Sequence, residues 1–367
     1  MAVHLKPLGK QTILITGASS GIGLVTARMA AARGAAVMLV ARDEDSLREA
    51  ADGIRTAGGR AAFHVADVAD AEALETAADV AERELGVLDS WVNDAGVSTI
   101  GTLEETPIED QRRLFETNYW GVVHGSLIAA RRLRETGGAI VNIGSVLSDR
   151  AMIYQGAYSA SKHAVKGFTD ALRMELEAAR APISVTLVKP ASIGTPYAEH
   201  ARLEWGQRGV KLPPPVYDPQ LVARAICFAC SHARRDLYVG GGGAAIALAG
   251  ALFPRLTDYA MERMGKPAQT TAVAGRAEMR DNLEQHRPGA ERSALPGQPS
   301  RRSSLLLEAQ LHPVATLATL AGAGALALGA LTAGGASRRA GMAMRPGWRR
   351  AMSQPLRFGA RRRGWFG

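Results

Sequence analysis

Between Thr12 and about Tyr238, short apolar runs alternate with longer stretches of helical pattern, and this alternation confines the chain to very few architectures. The runs are Thr12 to Ile15, Ala36 to Val40, Ala61 to Val65, Ser90 to Val92, Ala139 to Ile143, Ser184 to Val188 and Leu237 to Val239. Apolar residues fill these runs instead of alternating with polar ones, as in strands buried on both faces. Strand then helix, repeated, implies a parallel sheet with helices on each side: a doubly wound α/β domain of Rossmann type. The helix signals agree, since Asp218-Pro219 ahead of Leu221, Val222 and Ile226 reads as an N-cap followed by proline in the first turn. No repeat of 20 to 50 residues is visible.

The formal charge of +9 resides in a tail. Arg338 to Gly367 contains nine Arg and no acid, and the preceding 337 residues carry 35 basic and 35 acidic side chains. The main body therefore gives no reason to expect a nucleic-acid partner. Two Cys in 367 residues exclude a disulfide scaffold, and the first nine residues hold no long apolar run that would call for export.

The chain divides by composition into residues 8–245 as the main domain, 246–275 as a helical extension, and 276–304 as a linker rich in Arg, Glu, Pro, Gly, Gln and Ser. Residues 311–336 follow as an apolar helix and 337–367 as an Arg-rich tail. A chain ending near Arg276 is expected to stay soluble and bind cofactor. The uncharged stretch Pro313 to Ala336 is long enough for a bilayer span, with small residues four apart at Ala318 and Gly322 and at Ala321 and Ala325. A span would put the Arg tail in the cytoplasm and the domain outside, away from a cytoplasmic cofactor supply. An interfacial segment, with the Arg tail and Trp348, Trp365 and Phe366 on anionic headgroups, removes that conflict and keeps the domain cytoplasmic. The other readings are an Ala-rich helix lying on the domain or pairing with a second chain, and a disordered basic tail.

Directly after the first run comes Thr16-Gly17-Ala18-Ser19-Ser20-Gly21-Ile22-Gly23, leading into a helical stretch through Val25 and Met29. A pyrophosphate needs backbone that approaches closely, turns sharply and opens a helix whose first amides face the phosphates. Glycines meet all three needs.

The spacing T-G-x-x-x-G-x-G resembles the short-chain dehydrogenase/reductase family, and four further matches follow in order. They are Asn93-Asp94-Ala95-Gly96 for the family's N-N-A-G, Asn118, Ser145 placed 13 residues before Tyr158, and Tyr158-x-x-x-Lys162. The resemblance covers about residues 8 to 245 and implies a homo-oligomer built on the helices around Asn118 and Tyr158. It also implies cofactor contacts from Gly17, Ser19, Ser20, Gly21, Ile22, Gly23, Asn93, Ala95 and Gly96, and from Asp67-Val68 at the adenine. The second run ends Ala41-Arg42, where an acid would hold the ribose hydroxyls and an Arg accommodates a 2′-phosphate. Ala41 stands where relatives preferring NAD carry Asp, so NADP is the expected cofactor and NAD the lesser alternative.

Ketone reduction needs a proton donor at oxygen as hydride reaches carbon. Tyr158 is assigned as that acid/base. Lys162, one helical turn on, is expected to favour the phenolate by its charge together with that of the oxidised nicotinamide and, by resemblance, to hold the nicotinamide ribose. Ser145 positions the substrate oxygen, and Asn118 by resemblance holds a water that relays the proton. Pro190-Ala191-Ser192-Ile193-Gly194-Thr195 matches the family's P-G-x-I-x-T, which implies that Pro190, Ile193 and Thr195 hold the carboxamide; Ala191 replaces a glycine, and alanine tolerates positive φ poorly.

Tyr197 to Tyr217, with Leu203, Trp205, Val210, Leu212 and Pro213-Pro214-Pro215, falls at the family's substrate lid and suggests a small apolar alcohol or ketone. Cys227-x-x-Cys230 lies inside a helix and reads as core, so no metal site is expected. His124 and His163 read as helix-face residues, and Gly240 to Gly243 as a turn without the Lys of a phosphate cradle. The expected function is interconversion of a hydrophobic secondary alcohol and its ketone. The rivals are a 3-oxoacyl carrier-protein reductase and a non-catalytic NADP-binding scaffold that acts through its tail.

Overall fold

The computed structural model describes residues 3–203, 208–274, 281–287, 289–293, 299–323 and 325–326. Every expected strand is present. The main unit runs β1 (Thr12–Thr16), α1 (Gly21–Ala32), β2 (Ala36–Ala41), α2 (Glu44–Thr56), β3 (Arg60–Val65), α3 (Ala71–Leu85), β4 (Ser90–Asn93), β5 (Thr99–Ile100) and α4 (Ile108–Phe115). A π-helical turn, Glu116–Trp120, leads into α5 (Gly121–Arg132), β6 (Gly138–Ile143), α6 (Gly156–Ala178), β7 (Ile183–Pro190), β8 (Arg202–Leu203), β9 (Arg208–Val210), α7 (Pro219–Ser231) and β10 (Asp236–Val239).

The main sheet is parallel, with order β10-β7-β6-β4-β1-β2-β3. The order reverses between β1 and β4, so the loops leaving their C-terminal ends diverge there and open a crevice. Each residue of β1, β2, β6 and β7 is buried, which is why these runs show no polar alternation. Ile13, Ile15, Val37 and Leu39 face one layer, packing with α1 and α7 residues, while Leu14, Met38 and Val40 join α3 and α5 residues in the other. Caps fix the helix starts: Asp70 accepts from the amides of Glu72 and Ala73 at 2.9 and 3.1 Å, and Asp218 from that of Gln220 at 2.9 Å with Pro219 in the first turn.

Beyond β10 the chain continues as α8 (Gly241–Leu252), α9 (Pro254–Gln269) and β11 (Thr270–Ala274), the last antiparallel to β9. Gly240 to Gly243 thus open a helix, not only a turn. The reason lies in space: a Cβ on Gly243 would come 2.7 Å from Val146, and one on Gly240 2.8 Å from the Ala191 methyl.

The described residues within 276–304 pack on the main unit. Among the described ones, Leu283 is fully buried with Val97 and Leu114, Arg292 pairs with Asp218 at 3.2 Å, and the Arg301 amide donates to the Val216 carbonyl at 2.8 Å. Polar composition misleads here because the segment is held by ion pairs and backbone bonds, with few apolar anchors. α10 (Leu305–Leu311) then buries Leu307 and Leu311 in the core shared with α7, so the compact unit extends to Leu311, beyond residue 245.

His312 onward forms a separate unit. Residues 313–323 are helical, with Val314, Leu317 and Leu320 exposed. No helix among the described residues is long and apolar enough to cross a membrane. Trp205 and residues 327–367, with Trp348, Trp365 and Phe366, lie outside the described residues.

Candidate active site

The crevice at the sheet's reversal point is walled first by two loops in contact. Gly17 and Gly21 have φ of +69° and +51°, and a Cβ on Gly17 would lie 2.8 Å from the backbone of Ala95. A Cβ on Gly23 would run into the Gly17 carbonyl. Thr16 Oγ1 ties the loops together by accepting from the amides of Asp94 and Ala95 at 3.1 and 3.2 Å. Glycine is therefore required by geometry at this turn, and the side-chain-free cradle fits a dinucleotide pyrophosphate. Ser19, Ser20 and Ile22 line the cradle, and Thr195 packs over Gly21.

Arg42, Asp67 and Val68 line the far end. Arg113 lies 2.5 Å from the Asp67 carboxylate and Arg42 at 3.9 Å; with the Ala69 amide, these hold the carboxyl below its ordinary pKa against the opposing cost of burial.

The reactive end is assembled by β6 and α6. β6 ends at Ile143, and Ser145 then caps the short 3₁₀ turn Val146–Ser148, its Oγ accepting from the Leu147 amide at 3.0 Å. Tyr158 and Lys162 lie one turn apart on α6. Lys162 Nζ donates to the Ile143 carbonyl at 2.8 Å and sits 5.7 Å from the centre of the Tyr158 ring. The phenol lies beside Ser145 and Tyr197. Burial raises its pKa and the charge of Asp94 adds to this, while hydrogen bonding from Tyr197 and Ser145 opposes both. Burial pushes the Lys162 ammonium down to about 8, with Asp94 as its counterweight.

Asp94, the departure from N-N-A-G, is itself pushed up to about 7 by burial, offset by Lys162 and by the Gly23 amide. It lines the crevice, and its position in the motif was the only sign of it in the sequence. Tyr197 was visible only as the start of an apolar stretch. Its ring meets that of Tyr158 edge-on at 5.5 Å between centres, and its hydroxyl oxygen is buried.

Three expected site residues stand behind the wall instead of on it: Gly23, Asn93 and Asn118. Asn93 donates to Ser126 at 3.0 Å and to Asn142 at 2.8 Å and accepts from Trp91, a fully buried network that joins β4 to β6 and α5. Asn118 accepts from the Val97 amide at 2.8 Å and donates to the Val97 carbonyl and to Ser161. Its side chain thereby holds the loop after Gly96 to the π-helical turn.

Pro190, Ile193 and Thr195 line the crevice as expected. Ala191 adopts no positive φ, and its methyl fills the space left by Gly240 and Gly243. The lid forms a small core of its own, Ala198, Ala201, Val210, Leu212 and Val216 against Ile100, and β8 pairs with β5. Met152, Tyr197, Leu212 and Pro213 give the reactive end apolar walls. Cys227 and Cys230 are buried in the main core, and burial pushes the Cys227 thiol up to about 11. His124 and His163 each face a backbone carbonyl, that of Val68 and that of Ser159.

Residues 11–205 match the family model described as short chain dehydrogenase. An uncharacterized oxidoreductase of Bacillus subtilis (strain 168), YxnA, is 46% identical over 264 residues, covering 71% of this chain and 74% of that protein. Among solved structures, a short chain dehydrogenase/reductase from Burkholderia phymatum in complex with NAD is 31% identical, with a TM-score of 0.52 over 53% of this chain and 70% of that one. An alcohol dehydrogenase from Thermococcus sibiricus complexed with 5-hydroxy-NADP is 25% identical, with a TM-score of 0.56 over 62% of this chain and 95% of the other. With its glycine cradle, its Ser145, Tyr158 and Lys162 at one end of the crevice, and these likenesses, the chain belongs to the short-chain dehydrogenase/reductase family and is an oxidoreductase that works with a nicotinamide dinucleotide.

Proposed function

We propose that the chain interconverts an apolar secondary alcohol and its ketone with NADP as the preferred cofactor. The observation that carries the reaction is the convergence of Tyr158, Ser145 and Lys162 on the crevice, with apolar walls beside them. The cofactor reading is supported by Ala41 at the end of β2, in the place of an acid that would meet a free ribose, and by Arg42 beside it, whose guanidinium can meet a phosphate. When bound, the nicotinamide supplies or accepts the hydride.

The rest falls to the chain. Ser145 holds the carbonyl oxygen next to the Tyr158 hydroxyl, and Tyr158, a neutral phenol whose pKa burial raises further, donates its proton as charge builds on that oxygen. Lys162 stabilises the phenolate left behind and is held near the ring by the Ile143 carbonyl. Asn118 keeps the Val97 loop against α6, and we assign the proton's exit to this corner. The apolar walls exclude water from the developing charge and favour an alkyl or aryl ketone over a polar one. The test is a series of apolar and polar ketones assayed with NADPH and with NADH. The reading requires kcat/KM to rise with apolar size and to be higher with NADPH; a flat series, or an NADH preference, overturns the corresponding half.

A further inference from the structure

The described residues 281–287 and 289–293 bridge the mouth of the cofactor crevice, and their bonds on the cradle side go to groups that a dinucleotide's phosphates need. The Ala290 carbonyl takes the Gly21 amide at 2.9 Å, the first amide of α1. Gly289 packs on the glycine loop so closely that a Cβ there would collide with the Ser19 carbonyl, and its amide donates to Ser46 at 3.2 Å. Arg42 spends its guanidinium on three carbonyls of this segment: Asn282 at 2.5 Å, Leu283 at 3.3 Å and Glu284 at 3.2 Å. On the lid side the Asn282 amide donates to the His200 carbonyl at 3.0 Å, Asp281 pairs with Arg202 at 3.1 Å, and the Ser293 amide donates to Gly194 at 3.1 Å. Leu283, fully buried, anchors the middle.

We propose that this strap is a built-in competitor for the cofactor, its backbone carbonyls standing in for phosphate oxygens at the cradle and at Arg42. Carbonyl oxygens are neutral acceptors, and a phosphate makes charge-assisted bonds to the same donors that are roughly twice as strong. Cofactor therefore displaces the strap, and the closed strap lowers apparent affinity by the fraction of time it leaves the crevice open. Because both nicotinamide dinucleotides carry the pyrophosphate that needs the Gly21 amide, the strap lowers affinity for both by a similar factor. The Arg42 part of the argument rests on the NADP preference proposed above; the Gly21 part does not.

Hydrogen–deuterium exchange on the full chain tests the displacement. The amides of Asn282, Gly289 and Ser293 are expected to exchange at least tenfold faster with saturating NADPH, whereas slower exchange would make the strap a clasp that closes over bound cofactor and would overturn the proposal. Fluorescence titration of Leu283→Ala should show both NADPH and NADH binding about five- to tenfold tighter, with their affinity ratio unchanged. Unchanged or weaker binding of both overturns the strap's role. Should Leu283→Ala fail to fold, Asp281→Ala, which removes the half-buried carboxylate paired with Arg202, carries the same prediction at about two- to threefold. A ratio near one in the unaltered chain refutes the NADP preference alone and leaves the strap standing.

Discussion

The floor of the crevice and its cover are built by different physics. The floor, the loops after β1, β4 and β6, is fixed by positive-φ glycines, by the buried Asn93, Ser126 and Asn142 network and by strands without exposed residues. The cover, lid and strap together, is fixed by partly exposed ion pairs and by backbone bonds between loops. Arg202 reaches Asp110 at 2.6 Å and Asp281 at 3.1 Å, Arg28 reaches Glu291 at 2.6 Å, and Arg292 reaches Asp218 at 3.2 Å. Pairs of this kind contribute about 0–1 kcal/mol each and weaken in salt, whereas one buried polar group left unpaired costs about 1–3 kcal/mol. The floor is thus suited to hold reacting groups in place and the cover to open and close over them.

The largest effect should come from the floor's chemistry. Tyr158→Phe keeps the ring packing against Tyr197 and removes the proton donor, so kcat should fall about 10²- to 10⁴-fold with cofactor binding retained. A variant as active as the parent would remove Tyr158 from the mechanism. Gly17→Ala should act on the floor's shape: with φ at +69° and the Ala95 backbone 2.8 Å away, it should cost at least about 1–3 kcal/mol, seen as a lower Tm, together with cofactor binding. An alanine tolerated at both levels would show that the cradle is less rigid than its geometry indicates.

Arg42 belongs to floor and cover at once. Arg42→Ala should lower the NADPH-to-NADH affinity ratio by roughly tenfold or more, in line with about 1.5–3 kcal/mol for a hydrogen bond to a charged group. Asp94→Asn probes the electrostatics beneath Tyr158. The Asp94 carboxylate raises the pKa of Lys162, so removing it lets Lys162 lose its proton at lower pH, and the alkaline fall in kcat/KM should begin clearly below pH 8. A limb that stays put or moves up would mean that Lys162 does not govern it. The smallest effect separates the two regions directly. At 1 M NaCl, exchange at residues 281–293 should rise a few-fold while that of β1 and β4 stays fixed, and an equal response would mean that floor and cover are held alike.

The same contrast explains what could be read in advance. The inner strands of the main sheet were legible because burial on both faces writes itself as unbroken apolar runs, the half-exposed edge strands β3 and β10 because they continue the strand–helix alternation, and the cradle because phosphate binding demands glycine at fixed spacing. That the Asn93 side chain bonds Trp91, Ser126 and Asn142 was not legible, because a motif shows which residue is required but not which way it points. The strap was invisible: a segment held by its own carbonyls and by Arg, Asp and Glu side chains has the composition of a linker. For the same reason a chain cut near Arg276 is not expected to behave as an undisturbed domain. The cut removes Leu283 from its pocket with Val97 and Leu114, and Leu307 and Leu311 from the core against α7.

That cut would also take away Gln310, whose side-chain oxygen accepts from the Tyr238 amide at 2.9 Å while its nitrogen donates to the Tyr238 carbonyl at 2.9 Å. β10 is the outermost strand on its side of the sheet. One glutamine on α10 thus completes the pairing of that strand's third residue as a neighbouring strand would, and denies the position to a second molecule. Shortened forms of this chain should accordingly fail first by sheet-edge aggregation, before they lose catalysis.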